Sequence, residues 1–501
     1  MTQLTVYQSN KKTTHAVEKG TTLLRALQLH GFEIYSPCGG NGTCGKCKVY
    51  VKEEGSVSSC LFVIDRNLEV VLPDPVESTI LTSQYKNTIV LPFDPGTSVS
   101  LSAYPMGVAI DIGTTTLVLY LVNLMTGSLI ETRSTTNPQS KYGADVISRI
   151  NYCIKNKDGQ HRMQSEIIQI MNVQFEHFAR ALGIDTTDIV KVSITGNTTM
   201  LHLFWGENPA SLAFVPFRPV FTEEKTAAGR ELRLNCNPEA EIKSLPSVAA
   251  YIGADLVAGI ASLAPDDNIK NFLFVDVGTN GEMALVTEEG VYCCATAAGP
   301  AFEGANISHG MPAVEGAISA FGIEGIKTIA NAQPTGICGS GLIDVAAYLI
   351  NSRRIEKNGS MEKDFRIAEN ISCDKPIVFT QQDVRELQLA KSAIASGLKI
   401  MLKHSGKTWN DIDALYLAGG FGNYIRIESA IAIGLLPIEL SGKIIPVGNA
   451  SGTGAMLDLK TTGFGERTRH FIQKTKYIEL SEDEDFVMEF AMNMEFPNPE
   501  G

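Results

Sequence analysis

An apolar strand that ends in Asp-x-Gly-Thr and returns at once into a second apolar strand occurs twice in this chain, and that repetition constrains the fold more than any other feature. The first copy is Gly107-Val108-Ala109-Ile110-Asp111-Ile112-Gly113-Thr114-Thr115-Thr116-Leu117. The second, about 165 residues later, is Phe272-Leu273-Phe274-Val275-Asp276-Val277-Gly278-Thr279-Asn280-Gly281-Glu282. Each reads as a hairpin whose tip carries small residues and one carboxylate. Glycine and threonine offer N–H and hydroxyl groups to phosphate oxygens without side-chain bulk, and an aspartate can hold a hydrated magnesium ion. One copy alone is a weak signal, since any turn joins two strands. Two copies predict a duplicated fold with two phosphate hairpins facing each other.

Four of the ten cysteines, Cys38, Cys44, Cys47 and Cys60, cluster near the N-terminus. Five residues separate the first two, two the next pair and twelve the last, with Gly39, Gly40, Gly42 and Gly45 among them. Glycines let a loop turn tightly and aim N–H groups at sulfur, and four thiolates are what a [2Fe–2S] cluster takes. Zinc also takes four cysteines, but zinc ribbons present a close pair at each end, and here only Cys44 and Cys47 form one. The spacing resembles the binding loop of adrenodoxin-type ferredoxins, with the departure that the fourth cysteine comes earlier. Around the loop, residues 4–7 and 14–17 read as strands and 21–31 as a helix with a threonine cap and a glycine stop. Residues 47–51 and 68–72 read as further strands. That order is the β-grasp ferredoxin order.

At 501 residues, more than one domain is expected. Brief apolar segments among Pro92, Pro95, Gly96 and serines mark a linker that lets the first domain move. The domains are read as 1–75, ferredoxin-like; 76–106, linker; 107–480, nucleotide-binding; and 481–501, a helical tail. In the tail, Ser481-Glu482-Asp483-Glu484 reads as a capping box, and its methionines read as core packing. A net charge of −13 disfavours a nucleic-acid backbone or an anionic membrane surface as partner. With no signal segment or long apolar run, a cytoplasmic location is expected.

The paired hairpins resemble those of the superfamily containing sugar and acetate kinases, chaperone ATPases and actin, a duplicated ribonuclease-H-like fold. Further motifs of that superfamily follow in order. Residues 248–260 resemble the first interdomain connecting helix, and Leu415-Tyr416-Leu417-Ala418-Gly419-Gly420-Phe421-Gly422 the adenosine loop. Val447-Gly448-Asn449-Ala450-Ser451-Gly452-Thr453-Gly454-Ala455 resembles the second connecting helix, whose small residues permit close contact and hinging. The resemblance implies ATP and Mg2+ at Gly113, Thr114, Thr115, Gly278, Thr279, Asn280, Gly281, Gly419, Gly420, Phe421 and Gly422. Asp111 and Asp276 would hold magnesium. Asp255 would orient the attacking water, or merely cap its helix. Gly339 and Gly341 open a helix whose N-terminus could meet ribose or phosphate. Cys293, Cys294 and Cys338 read as buried apolar residues. The glycine-rich segment 299–311 is too long for a bare connection; it reads as touching substrate or partner, or as packing, with His309 a candidate ligand or proton carrier.

A [2Fe–2S] domain joined to such an ATPase resembles the reductive activators of corrinoid-dependent enzymes over nearly the whole chain. The resemblance implies ATP-dependent transfer of an electron from the cluster to a cob(II)amide on a partner corrinoid protein, giving the methyl-accepting cob(I) state. It also implies a separate electron donor and a homodimer. Three other readings stay open: a small-molecule kinase with a redox-sensing ferredoxin domain, an activator of radical dehydratases, and a redox-sensing scaffold without turnover.

Overall fold

The computed structural model describes residues 1–498 apart from 9–10, 31, 33, 35, 37–39, 41, 43–45, 73–87, 279, 371–374 and 423. At the N-terminus a five-stranded sheet runs in the order Lys11–Val17, Thr2–Gln8, Leu68–Val71, Lys48–Val51, Gly55–Ser58. Thr2–Gln8 pairs antiparallel with its hairpin neighbour and parallel with Leu68–Val71, the β-grasp arrangement. Alternation along the strands turns Leu4, Val6, Val49, Val51, Leu68 and Val70 onto one face. The helix Leu23–Leu29 covers that face with Leu23, Ala26 and Leu27. Burying each of the two leucines contributes about 1.5–3 kcal/mol. The Thr22 side chain accepts from the Arg25 N–H and starts the helix as expected, whereas the glycine stop at Gly31 lies outside the described residues.

Two six-stranded sheets follow, and they are copies of one plan. The first runs Lys225–Ala228, Glu241–Ser244, Ile189–Gly196, Met106–Ile112, Thr116–Asn123, Leu129–Thr136. The second runs Ile444–Gly448, Ala414–Ala418, Phe272–Val277, Gly281–Val286, Val291–Thr296, Thr475–Tyr477. In each, the strand ending in aspartate pairs antiparallel with its hairpin partner and parallel with the strand on its other side. Central strands covered on both faces are apolar along most of their length, as Met106–Ile112 is, whereas Ile189–Gly196 is buried throughout but sets Lys191, Ser193 and Thr195 among its apolar residues.

The helices Ala254–Ser262 and Ala450–Lys460 cross between the lobes. A Cβ on Gly454 would stand 2.4 Å from the Ala258 carbonyl oxygen, and one on Gly259 2.8 Å from the Phe274 ring. The small residues therefore serve the close approach that the sequence implied. Among the described residues no helix is long and apolar enough to cross a membrane.

Residues 88–104, expected to belong to a mobile linker, are instead bound to the first lobe and to both crossing helices. Thr88 bridges to Leu263, and the Ile89 N–H donates to Ser262 at the end of one helix (2.9 Å). Phe93 bridges to Thr461, and the Asp94 N–H donates to Lys460 at the end of the other (2.9 Å). Ile89 and Leu91 pack against the first lobe's core. Backbone pairing, which leaves little trace in composition, overrides the Pro, Gly and Ser content. Residues 76–87 of the expected linker lie outside the described residues.

The tail departs from expectation twice. Its helix is Phe486–Asn493, and the capping oxygen comes from Asp483, which accepts from the Phe486 N–H at 3.1 Å; Ser481 instead bonds Glu479. Met488 and Met492 are 67% and 53% exposed, so they are not core packing. The helix is held by polar bonds to the long helix Gln381–Ser405, including Asn493 Nδ2 to Ser396 Oγ (2.9 Å) and Gln388 Nε2 to the Met494 carbonyl (2.6 Å).

Lys391 anchors the same junction, donating to the Glu495 carbonyl beneath the Phe496 ring. Burial, then the nearby Lys399, pushes its ammonium down to about 7 from 10.5. Between those values the unfolded chain holds a proton that the folded chain releases, so stability rises with pH across the window. Lys391→Met should therefore raise the melting temperature at pH 7, with the gain shrinking towards pH 10 in thermal scans. A gain independent of pH would show that the cation is not destabilised by burial.

Candidate functional site

The hairpins face each other across the crossing helices, and Asp111 stands near enough to Asp276 for its charge to act on it. Asp111, at the end of Met106–Ile112, accepts from Asn449 Nδ2 (2.8 Å) and Ser451 Oγ (3.0 Å) at the start of Ala450–Lys460. Asp276 ends the corresponding strand of the second lobe. Asp255 sits in the first turn of Ala254–Ser262 and accepts the Leu256 N–H at 2.9 Å. Its oxygens thus partly serve the helix start, as the capping alternative held.

The three aspartates are half-buried, open on the cleft and walled by protein elsewhere. Burial first, then repulsion from neighbouring carboxylates, makes two of them weaker acids: Asp276 is pushed up to about 7 by desolvation and Asp111, and Asp255 is raised by desolvation, Asp276 and Asp111. Asp111 is also raised by burial, against the two hydrogen bonds that favour its charge. Carboxylates crowded in this way suit a divalent cation, which removes the repulsion. Among the described residues no group of three or more His, Cys, Asp or Glu side chains could by itself cage a metal ion. That donor set fits magnesium, which keeps several waters and takes one or two carboxylates with substrate phosphates.

The fourth carboxylate, Glu282, was missed in the sequence. It is 7% exposed, pairs directly across the hairpin from Asp276, and is raised by burial and then by Asp255 and Asp276. Counting back from the tip could have found it, because the antiparallel register sets residue 282 opposite 276. In the first hairpin the residue opposite Asp111 is Val118.

Gly113 closes the first tip through its N–H to the Thr116 carbonyl (2.9 Å), and a Cβ there would lie 2.7 Å from that oxygen. Thr114 accepts from Asn197 Nδ2 at its hydroxyl (3.1 Å) and from buried Arg149 at its carbonyl, while Thr115 donates across the cleft to Glu303 (3.3 Å). Asn197 belongs to the stretch 192–200, which the sequence reads as a strand ending in a polar turn over the cleft, whereas Arg149 is a residue that sequence reasoning did not single out. In the second tip the Gly278 N–H donates to the Asn280 carbonyl (3.0 Å), and Gly281 packs against Thr296 and Ile394. Thr279 lies outside the described residues.

Gly419 has φ +90°, and a Cβ on it would stand 2.4 Å from Asp276 Oδ1. The glycine of the expected adenosine loop is thus also required by the carboxylate beside it. Gly420 and Phe421 lie with it in the short helical turn Gly419–Gly422, whose Gly422 packs against Leu417. Gly339 and Gly341 open the helix Gly339–Asn351, where a Cβ on Gly341 would meet the Ile318 carbonyl at 2.2 Å. Close packing accounts for that glycine. Cys293, Cys294 and Cys338 are buried as expected.

Of the four N-terminal cysteines, Cys38 and Cys44 lie outside the described residues. Cys47 and Cys60 are both buried and share a small cluster with Leu24, and Ser59 donates from its N–H (2.9 Å) and hydroxyl (2.7 Å) to the Cys47 carbonyl. Gly40 and Gly42 take φ of +86° and +78°, which β-carbon-bearing residues rarely adopt. The Ser36 hydroxyl beside the loop is buried without a hydrogen-bond partner among the described residues. Buried thiols, a loop shaped by left-handed glycines and an unpaired polar group fit an iron–sulfur centre.

Two lobes of one plan, facing hairpins and crossed connecting helices define an ATPase of the actin, sugar-kinase and chaperone class, fused here to a ferredoxin-like domain. Family models agree piece by piece: a 2Fe-2S iron-sulfur cluster binding domain matches residues 6–71, the RACo middle region 106–266, and the C-terminal domain of RACo, the ASKHA domain, 270–500. The corrinoid activation enzyme RamQ of Eubacterium limosum is 34% identical over 417 residues, 78% of this chain and 70% of the relative. The [Co(II) methylated amine-specific corrinoid protein] reductase of Methanosarcina barkeri is 27% identical, over 69% of this chain and 68% of its own length. A solved structure of a reductive activator for a corrinoid, iron–sulfur protein superposes with a TM-score of 0.71 at 28% identity, covering 99% of this chain and 98% of that one. The chain belongs to the RACo family of reductive activators.

Proposed function

We propose that this chain passes single electrons from its N-terminal domain to a corrinoid protein, returning cob(II)amide to cob(I)amide, and uses ATP bound between its hairpins to drive that transfer. The observation that carries the reading is the joining in one chain of a buried cysteine pair on a ferredoxin fold and a carboxylate floor beneath two facing hairpins. Cys38, Cys44, Cys47 and Cys60 would hold a [2Fe–2S] centre, which when bound supplies one-electron transfer. Gly113, Thr114, Thr115, Gly278, Thr279, Asn280 and Gly281 would cradle phosphates, and Gly339, Gly341, Gly419, Gly420, Phe421 and Gly422 would receive the nucleoside side.

Asp111 and Asp276 would orient a hydrated magnesium ion, and Asp255, facing both, would orient the attacking water. Asn449 and Ser451 hold Asp111 from the start of a crossing helix, so a ligand that engages Asp111 acts directly on the element between the lobes. Nucleotide that binds one lobe arrangement better than another shifts the population by that difference in affinity. The same reading gives a separate electron donor, because a one-electron carrier must be recharged after each transfer. It also gives a homodimer, on the family resemblance, a cytoplasmic location, because thiols that hold a cluster fit a reducing compartment, and no role for nucleic acid or membrane, on the charge of −13.

The test is cob(I) absorbance from a cognate corrinoid protein under excess reductant, with ATP, with a non-hydrolysable analogue and with no nucleotide. Only ATP should support full accumulation, and the cob(II) partner should stimulate hydrolysis. Equal rates and extents in all three conditions would overturn coupling and favour the kinase reading.

A further inference from the structure

The segment 299–311 is a junction. Within it Pro300–Glu303 forms a short helical turn, and Ala301, Phe302, Ala305 and Ile307 are buried in the second lobe. The Ile337 N–H donates to the His309 carbonyl (2.8 Å) and the Met311 N–H to the Ile337 carbonyl (2.9 Å), while the Ser308 N–H donates to Asp383 (2.7 Å), itself fully buried. Gly304 and Gly310 lie so close that a Cβ on Gly310 would stand 2.1 Å from the Gly304 carbonyl oxygen. The segment is therefore one stiff frame, and among the described residues it reaches the first lobe at one end and the cysteine-loop domain at the other.

At one end Glu303 accepts from Thr115, on the tip of the first phosphate hairpin, at 3.3 Å. At the other, the carbonyls of Ile307 and Gly310 accept from Nζ of Lys46, the latter at 3.0 Å. Lys46 stands in the cysteine loop, one residue before Cys47. An ammonium held by two fixed carbonyls is a strong, directional tie, and it is part-buried. Burial disfavours protonation of His309, Asp383 counters that effect, and Lys46 and Lys48 stand near enough to add to it.

We propose that the 299–311 frame is the resting dock of the cysteine-loop domain, and that nucleotide phosphate opens it through Glu303. The proposal rests on the placement of ATP between the hairpins. A phosphate arriving at the first tip takes the Thr115 hydroxyl and repels the Glu303 carboxylate that the hydroxyl had held. Because Gly304 packs closely against Gly310, displacement at Glu303 moves the carbonyls that hold Lys46. A small shift at a packed contact is resolved as one of two discrete arrangements rather than as a gradual strain. The electron carrier is thus kept on the ATPase until nucleotide is present, and freed to meet its acceptor afterwards.

The dock is read by amine acylation of the intact, anaerobically prepared protein, with Lys46 quantified by mass spectrometry against exposed Lys19 in the same digest. Unchanged visible absorbance certifies that the domain stays folded. Without nucleotide, Lys46 should react slowly; with magnesium and a non-hydrolysable ATP analogue its rate relative to Lys19 should rise about tenfold. Glu303→Gln keeps the size and the acceptor oxygen but removes the charge, so it should bind the analogue and keep Lys46 protected. Binding of the analogue is measured by calorimetry in the same samples. Bound analogue with no change at Lys46 in the parent protein would overturn the gate, as would full release in Glu303→Gln. Lys46 as reactive as Lys19 without nucleotide would overturn the dock. No binding would overturn the nucleotide reading itself, and the gate with it.

Discussion

Cys60→Ala, purified without oxygen, should yield protein that lacks the visible absorption and reduced-state EPR signal of a [2Fe–2S] centre, against two irons and two sulfides per chain in the parent. The effect should be all or nothing, because the centre takes four thiolates. Cys60 is 7% exposed and Cys47 fully buried, both against Leu24, so no surface ligand stands ready to replace either. The smaller residue also leaves ATP hydrolysis a clean control, since the hairpins lie in other domains. Corrinoid reduction should vanish. One equivalent of zinc without labile sulfide in the parent would sink the assignment.

The second large effect is expected at Asp276→Asn. The substitution keeps the shape that fits beneath Gly419, where a Cβ would already stand 2.4 Å from the carboxylate oxygen, and removes only the charge. Losing one positioned charge at a phosphoryl-transfer site costs on the order of 100-fold or more in kcat. Phosphate release should fall by at least that factor while the cluster spectrum is unchanged. Turnover within about twofold of the parent, far inside that margin, would show the second hairpin to be structural. Glu282→Gln offers a graded companion, because Glu282 lies opposite Asp276 and is buried beside it.

The hairpins, connecting helices and β-grasp order were legible because each is local: alternation, a glycine at a tip, a threonine before a helix. What escaped were contacts between residues far apart in the chain. Asn449 and Ser451 reach Asp111 across more than 300 positions, and nothing in a run of small residues says which carboxylate they will bind. Residues 88–104 have a linker's composition, but their N–H and C=O groups find partners at helix ends. The exposed methionines of the tail mislead in the other direction. Helical spacing marks an apolar face, yet that helix is held by polar bonds to its neighbour. Segment 299–311 was singled out for its glycines, and its tie to Lys46 needed the folded chain.

The strip that begins at Thr88 has one more consequence. Because it is fastened to the ends of both crossing helices, only residues 73–87 separate the ferredoxin-like domain from its anchor. Whatever path they take, sixteen peptide units span at most about 55 Å, against more than about 110 Å had the chain been unattached as far as Met106. Halving the greatest span cuts the volume within reach about eightfold. The anchor lies at the ends of the two helices that cross between the lobes. An acceptor seated anywhere on the two lobes therefore meets the electron carrier from a fixed, nearby post, and its distance from that post decides whether the carrier can reach it at all.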